Sequence, residues 1–252
     1  MDDITCRRPI SWVSAQRTDV GCVRKVNEDA ILSLNDHQFW VVADGMGGHA
    51  RGDVASKNIV TALESITLGG SMRDCVANIE NTLINVNDQL IEYSDSMALE
   101  GMMGSTFISL LVNDEFATCL WVGDSRLYRY RNHKLAQISR DHSQVQEMLD
   151  MGMITPEQAE NHPQGNVITR AVGVEAELNL DIEAFRILTG DTYLLCSDGL
   201  YNCIDEQSIT QSLTHRDVQK CCDELIEKAI ASGANDNVSV IVVRGMPGKL
   251  SL

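Results

Sequence analysis

Hydrophobic positions along the chain form short apolar or alternating runs that end at turn residues. Such runs predict β-strands, because successive side chains of a strand point to opposite faces. The predicted strands are 12–18, 30–34, 38–43, 105–112, 116–122, 126–131, 135–139, 178–185, 193–197 and 238–243. Two pairs, separated by Asn113-Asp114-Glu115 and by Asn132-His133, are typical of hairpins.

Helices are predicted where apolar residues recur every three to four positions, at residues 55–66, 72–90 and 218–230. The second stripe could be a coiled-coil seam, but it lasts under three heptads, which favours one buried helix face. Strands and helices come in blocks and do not alternate one by one. We therefore predict an α+β fold with mainly antiparallel sheets.

Residues 141–166 differ from the rest, because His, Gly and Pro interrupt a short helical pattern there. Thr155-Pro156-Glu157-Gln158 has the form of a helix start, and Asp141 is interpreted as the cap of another short helix. A long irregular segment of this kind is typical of a functional flap. With no repeat or extended linker elsewhere, we expect a single domain over residues 1–252.

The composition indicates a globular chain with an acidic surface. Of 252 residues, 44% are hydrophobic and 22% charged, and 20 Lys and Arg against 36 Asp and Glu give a net charge of −16. This charge disfavours nucleic acid and anionic membranes as partners and permits cations and basic proteins. No run is long enough to span a membrane, and no signal peptide or oligomerisation element is recognisable. We expect a cytoplasmic monomer.

The eight cysteines include no C-x-x-C pair. They are interpreted as reduced and mostly buried thiols, with a zinc or redox role as the less favoured alternative.

Carboxylates occur at the ends of five predicted strands: Glu28, Asp29, Asp44, Asp124, Asp198 and Asp236. A single Asp-Gly is more typical of a turn, but so many at strand ends indicate one site. Clustered carboxylates repel each other unless cations neutralise them, and Mg²⁺ and Mn²⁺ prefer oxygen ligands. Gly45 could bring its carbonyl to a metal, and Arg24 could bind phosphate, although alone it is more typical of a solvated surface residue.

Six ordered motifs also carry a family resemblance. They are Gly21-x-x-Arg24-x-x-Asn27-Glu28-Asp29, Asp44-Gly45-Met46-Gly47-Gly48-His49, Gly104-Ser105-Thr106, Gly123-Asp124-Ser125-Arg126, Cys196-Ser197-Asp198-Gly199-Leu200 and Asp236-Asn237-Val238-Ser239. From about residue 14 to 243, the chain resembles the metal-dependent serine/threonine protein phosphatases of the protein phosphatase 2C type, in their compact bacterial form.

The resemblance implies a four-layer α/β/β/α sandwich with two central, mainly antiparallel sheets and a dinuclear Mn²⁺ or Mg²⁺ site. Asp44 matches the carboxylate that bridges the two metals, and Gly45 matches the residue that offers its carbonyl. Asp198 and Asp236 match the positions that complete the dinuclear site. The segment 141–166 matches a flap that touches substrate.

Other matches surround that site. Arg24 matches the phosphate-binding arginine, which with the three dinuclear-site aspartates forms the predicted catalytic set. Glu28 and Asp29 match positions that orient metal-bound water. Asp124 matches a ligand of a third, weaker metal. Asn202 stands where relatives often have an Asp at that third site, so a third ion is expected to bind more weakly or not at all.

The implied function is hydrolysis of phosphoserine or phosphothreonine in one step by a metal-bridged hydroxide, without a phosphoenzyme. Phosphorylated proteins would be the substrates, and the enzyme would reverse a bacterial Ser/Thr kinase. The alternatives are a phosphohydrolase of small molecules and a non-catalytic phosphoprotein-binding module. Met46 stands where many relatives outside bacteria have a proposed general acid His, and neither His49 nor His142 is assigned that role.

Overall fold

The computed structural model describes residues 9–47, 51–97, 102–159 and 162–248. In chain order the strands are β1 (Ile10–Asp19), β2 (Asp29–Leu34), β3 (Phe39–Met46), β4 (Gly104–Ser105), β5 (Phe107–Asn113), β6 (Phe116–Val122), β7 (Arg126–Arg131), β8 (Lys134–Gln137), β9 (Asp181–Arg186), β10 (Thr192–Cys196) and β11 (Val238–Pro247). The helices are α1 (Arg51–Glu64), α2 (Met72–Ser96), α3 (Gln144–Asp150), α4 (Pro156–Ala159), α5 (Asp198–Tyr201), α6 (Glu206–Ser212) and α7 (Val218–Ala231).

The strands form two sheets in which every pairing is antiparallel. The first sheet has the order β1-β11-β10-β7-β8. The second has the order β2-β3-β5-β6-β9, with β4 paired to β3. The strands β1 and β11 therefore lie side by side. This pairing brings the end of β1 and the start of β11 together at one end of the sheet.

Three apolar layers hold the molecule together, and they confirm the predicted α/β/β/α sandwich. One lies between α1, α2 and the second sheet, one between the two sheets, and one between the first sheet and α6 and α7. Successive side chains of a strand contribute to different layers, since Val41 of β3 faces the helices and Val42 faces the opposite sheet. In β10, Leu194 and Leu195 divide in the same way.

The structure confirms most of the predicted elements and corrects three details. The pattern of apolar residues does not predict the short helices α5 and α6. Asp141 does not cap α3 as expected. Ser143 does, accepting a hydrogen bond from Gln146 N at 3.2 Å, while the Asp141 carboxylate is held by Arg126. Among the described residues, no helix is long and apolar enough to cross a membrane.

Candidate active site

The predicted carboxylates meet in one cleft of about 230 Å³ at a shared end of the two sheets. Within the second sheet, the antiparallel registers place the start of β2 and the ends of β3 and β6 at one end of the sheet. Within the first sheet, they place the end of β10 beside the starts of β7 and β11, and the β6–β7 turn joins these two sheet ends. The predicted site residues that line the cleft are Arg24, Glu28, Asp44, Gly45, Asp124, Asp198 and Asp236. Asp29 is the exception, and it is the direct partner of Asp44 in the β2–β3 ladder.

Asp29 and Asp44 face each other across the β2–β3 ladder, and Asp29 is buried. Asp29 Oδ2 accepts a hydrogen bond from Ser197 Oγ at 2.8 Å, and Asp44 N donates to Thr106 Oγ1 at 3.0 Å. Burial raises the pKa of Asp29 to about 6. Burial first, and then the Asp29 charge, raise the pKa of Asp44 well above its usual range. Two facing carboxylates in this position cannot both ionise without positive charge nearby.

Asp198 and Asp236 also line the cleft, where they follow β10 and precede β11 of the first sheet. Asp198 begins α5 directly after the buried strand β10, and burial followed by the Asp236 charge raises its pKa to about 7. Its Oδ2 also accepts from Asn202 Nδ2 at 3.2 Å. The Asp236 carboxylate makes an ion pair with Arg24, whose Nη2 lies 2.7 Å from Asp236 Oδ2.

Asp124 lies in the turn between β6 and β7 and is only 6% exposed. Burial, and then the charge of Asp198, raise its pKa to about 8. The structure thus brings Asp124 to the same cleft as Asp198, as the sequence predicted, and gives these two carboxylates a direct electrostatic influence on each other.

Gly45 is required by close backbone packing. A Cβ atom built on Gly45 would lie 2.1 Å from the carbonyl oxygen of Gly52, the second residue of α1. Gly45 N donates to Glu28 O at 3.1 Å, and Ser56 Oγ donates to the same oxygen at 2.6 Å. The strand end that carries Asp44 is therefore fixed against α1 and against the loop that carries Glu28.

Asn237 belongs to the last of the six sequence motifs, although the sequence analysis gave it no role of its own. Its side chain, 3% exposed, accepts a hydrogen bond from Glu28 N at 2.8 Å. It donates to Val20 O at 2.9 Å and to Val26 O at 3.1 Å. Asn237 thereby fixes the loop that carries Arg24. Its place in the motif Asp236-Asn237-Val238-Ser239, at the start of a buried strand, is the signal that the sequence offers.

A family model described as Protein phosphatase 2C matches residues 23–234. The chain belongs to the protein phosphatase 2C family. It is 39% identical over 236 residues to the serine/threonine phosphatase stp of Listeria monocytogenes serotype 4b, covering 90% of this chain and 93% of that protein.

Solved structures agree with this assignment. PppA, described as a key regulatory component of T6SS in Pseudomonas aeruginosa, superposes with a TM-score of 0.88 at 41% identity, covering 95% of this chain and 100% of that one. The catalytic domain of the serine threonine protein phosphatase PstP in complex with two manganese ions gives a TM-score of 0.84 at 33% identity, with 94% and 99% covered. The predictions of fold, family and enzyme class are thus confirmed: the chain is a bacterial, metal-dependent phosphoprotein phosphatase acting on phosphorylated proteins.

The residues at the cleft fit the divalent ions of this phosphatase 2C family. Glu28 Oε1 and Asp29 Oδ1 are buried and have no hydrogen-bond partner among the described residues, which is unfavourable for a carboxylate oxygen unless a cation approaches. Within the same residues, no three Asp, Glu, His or Cys side chains form a ready-made ligand set. The carboxylates are instead spread around the cleft, an arrangement that suits Mg²⁺ or Mn²⁺ ions that keep several water ligands.

The predicted phosphatase flap leaves the cleft and returns to it. It begins next to the Asp124 turn, where His142 N donates to Gly123 O at 2.9 Å and His142 Nδ1 accepts from Gly123 N at 3.2 Å. It contains α3 and α4, and its last residue, Asn166, lines the cleft, as does Ile168 just beyond it. His142 is buried, stacks on Trp121 and holds the start of the flap against the Asp124 turn through its two hydrogen bonds with Gly123. The other histidine considered in the sequence, His49, lies outside the described residues.

Proposed function

We propose that the chain hydrolyses phosphoserine and phosphothreonine in proteins at a site that holds two Mn²⁺ or Mg²⁺ ions, and that it reverses a bacterial Ser/Thr kinase. The observation that carries this proposal is the convergence of carboxylates whose pKa values are raised by burial on one cleft beside Arg24. When bound, the ions would supply a water nucleophile at neutral pH and positive charge for the phosphate oxygens.

Three carboxylates and one carbonyl would hold the two ions: Asp44, Asp198, Asp236 and Gly45. Glu28 and Asp29 each keep a buried oxygen without a protein partner, and we propose that these oxygens orient water at the ions. Asp124 would hold a third, weaker ion. Asn202 supports the weakness of that site, because its amide donates to Asp198 and adds no negative charge.

Arg24 would bind the phosphate. Its Nη2 is occupied by Asp236 at 2.7 Å, which fixes the guanidinium at the mouth of the cleft. A guanidinium has five N–H donors in a planar fork, so Arg24 can hold Asp236 and a phosphate oxygen together. We further propose that the flap at 141–166 contacts the substrate protein around the phosphorylated residue, and that residues 1–252 act as one monomeric domain.

Activity and metal binding test this proposal together. Purified protein should release phosphate from a phosphothreonine peptide with Mn²⁺, should lose this activity in chelator, and should prefer the peptide to nucleoside phosphates. Asp198→Asn keeps the shape of the side chain but removes its charge, and should lower kcat at least about 100-fold and weaken Mn²⁺ binding in calorimetry. Asp36→Asn, at an exposed position in another turn, is the matched control.

Arg24 needs a separate pair of variants. Arg24→Ala should raise KM for the peptide, and Arg24→Lys should restore it only in part, because lysine lacks the planar fork. Full activity in chelator, or full activity of Asp198→Asn, would contradict the proposed mechanism.

A further inference from the structure

Tyr201 connects two segments that line the cleft, the helix α5 that carries Asp198 and the β6–β7 turn that carries Asp124. Helix α5 is a single turn that begins with Asp198 and ends with Tyr201. The Tyr201 hydroxyl donates a hydrogen bond to the backbone carbonyl of Asp124 at 3.0 Å. Asp124 belongs to the turn between β6 and β7, which is 77 residues away in the sequence. One hydroxyl thus joins the helical turn of Asp198 to the turn of Asp124.

The Tyr201 ring is itself held in place by a partly buried ion pair. The guanidinium of Arg126 lies over the ring, 3.6 Å from its centroid, a distance at which a cation is attracted to an aromatic face. Arg126 Nε lies 3.0 Å from both oxygens of Asp141, and Arg126 Nη2 lies 2.6 Å from Asp141 Oδ2. Asp141 is the first residue of the flap, and its side chain is 8% exposed.

These contacts point to a role beyond filling space. Asp124 and Asp198 line the same cleft. The β7–β10 ladder joins the strands that flank them, and its last pair is Cys196 with Arg126, two residues from Asp198 and from Asp124. Beyond that pair both segments leave the ladder, and Tyr201 adds a connection there through a bond of ordinary length to the Asp124 carbonyl oxygen.

We propose that Tyr201 is a positioning residue, which fixes the Asp124 turn relative to Asp198 through its hydroxyl and thereby sets the affinity of the cleft for divalent ions. The inference rests on the proposed function, because it takes Asp124 and Asp198 to be metal ligands. It adds a residue outside the predicted site, one that would touch neither metal nor substrate.

Tyr201→Phe removes only the hydroxyl and keeps the ring under Arg126. We expect the weakest Mn²⁺ binding event resolved by calorimetry to weaken about fivefold, the effect of losing one net hydrogen bond. Hydrogen–deuterium exchange should increase at the amides of residues 123–126 and should not change in the β1–β11 pair. The matched control is Tyr193→Phe, because Tyr193 is fully buried and its hydroxyl donates to Asp191 Oδ2 at 3.0 Å, away from the cleft.

The outcomes separate this inference from the proposed function. Mn²⁺ affinity of Tyr201→Phe within twofold of the parent, or an equal loss in Tyr193→Phe, would show that Tyr201 has only a structural role. A parent protein that binds no Mn²⁺ would overturn both proposals. Normal Mn²⁺ binding by the parent, with weaker binding and faster local exchange confined to Tyr201→Phe, would support the positioning role.

Discussion

Replacing Asn237 with alanine tests whether one side chain holds the loop that carries Arg24 and Glu28. The Asn237 amide makes three hydrogen bonds to the backbone of residues 20–28, between 2.8 and 3.1 Å long. Alanine removes all three together. It leaves one N–H and two carbonyl groups of the loop without their protein partners.

The expected loss of stability follows from those three groups. A buried polar group that loses its partner costs about 1–3 kcal/mol. Val26 is 42% exposed, so water can reach part of this loop and the lower end of that range applies. At about 1 kcal/mol per group the loss is about 3 kcal/mol, a large share of the roughly 5–15 kcal/mol that stabilises a typical domain.

Urea unfolding and steady-state kinetics measure the two consequences. The unfolding midpoint of Asn237→Ala should fall while the slope with urea stays the same, because the folded core is unchanged. KM for a phosphopeptide should rise more than kcat falls, because Arg24 would lose its fixed position.

The control for this prediction is Asn235→Ala, an exposed position two residues earlier. It should change neither quantity. A loss of less than about 0.5 kcal/mol in Asn237→Ala, the size of an ordinary surface substitution, would refute the assignment of Asn237 as the residue that holds the loop.

Three further predictions concern the fold and the surface. Gly45→Ala places a Cβ atom 2.1 Å from the carbonyl oxygen of Gly52, so β3 and α1 must separate; we expect a lower melting temperature by circular dichroism and loss of activity. Asp191 is 1% exposed and accepts two hydrogen bonds of 2.6 Å from Arg131. Asp191→Ala should therefore cost about 3–5 kcal/mol in urea unfolding and leave kcat/KM unchanged, because the pair is remote from the cleft. Since the chain carries a net charge of −16, phosphopeptides with basic flanking residues should be hydrolysed faster at low salt, and a flat dependence of kcat/KM on KCl concentration would contradict this.

The sequence was sufficient to predict the parts of this molecule that depend on local pattern. Apolar runs and alternation predicted the strands, because the core lies on both faces of each sheet. Carboxylates at strand ends predicted the cleft, because the ends of neighbouring antiparallel strands lie together at one end of a sheet. The glycine of Asp44-Gly45 was predicted to matter for a metal, and the structure adds a separate steric reason in the approach of Gly52.

What the sequence could not predict are roles that depend on partners far along the chain. Asn237 and Glu28 are 209 residues apart, and Tyr201 and Asp124 are 77 apart, so no local spacing reveals either contact. The interpretation of Asp141 as a helix cap was wrong for the same reason. Its carboxylate is taken by Arg126, 15 residues away across a hairpin, which leaves Ser143 to cap α3.

Removal of the metals should give the folded chain an unusual dependence on pH. Burial and mutual repulsion raise the pKa values of Asp29 to about 6, Asp198 to about 7 and Asp124 to about 8, from an ordinary value of 3.8. The folded state therefore binds these protons more tightly than the unfolded chain does. It follows that the free energy of unfolding of the metal-free protein should fall as pH rises from about 4 to about 8, by up to about 1.4 kcal/mol per pH unit for each proton of difference.

Urea unfolding in chelator at pH 5, 6 and 7 measures this dependence. Because Mn²⁺ competes with protons for the same oxygens, saturating Mn²⁺ should stabilise the protein more at pH 7 than at pH 5. Asp198→Asn removes one of the repelling charges, so without metal it should be more stable than the parent at pH 7, although it would bind Mn²⁺ less well. A metal-free parent protein whose stability rises between pH 5 and pH 7 would contradict this reasoning. It would show that the repulsion among these carboxylates does not destabilise the folded state, and the electrostatic argument for placing the ions among them would fail.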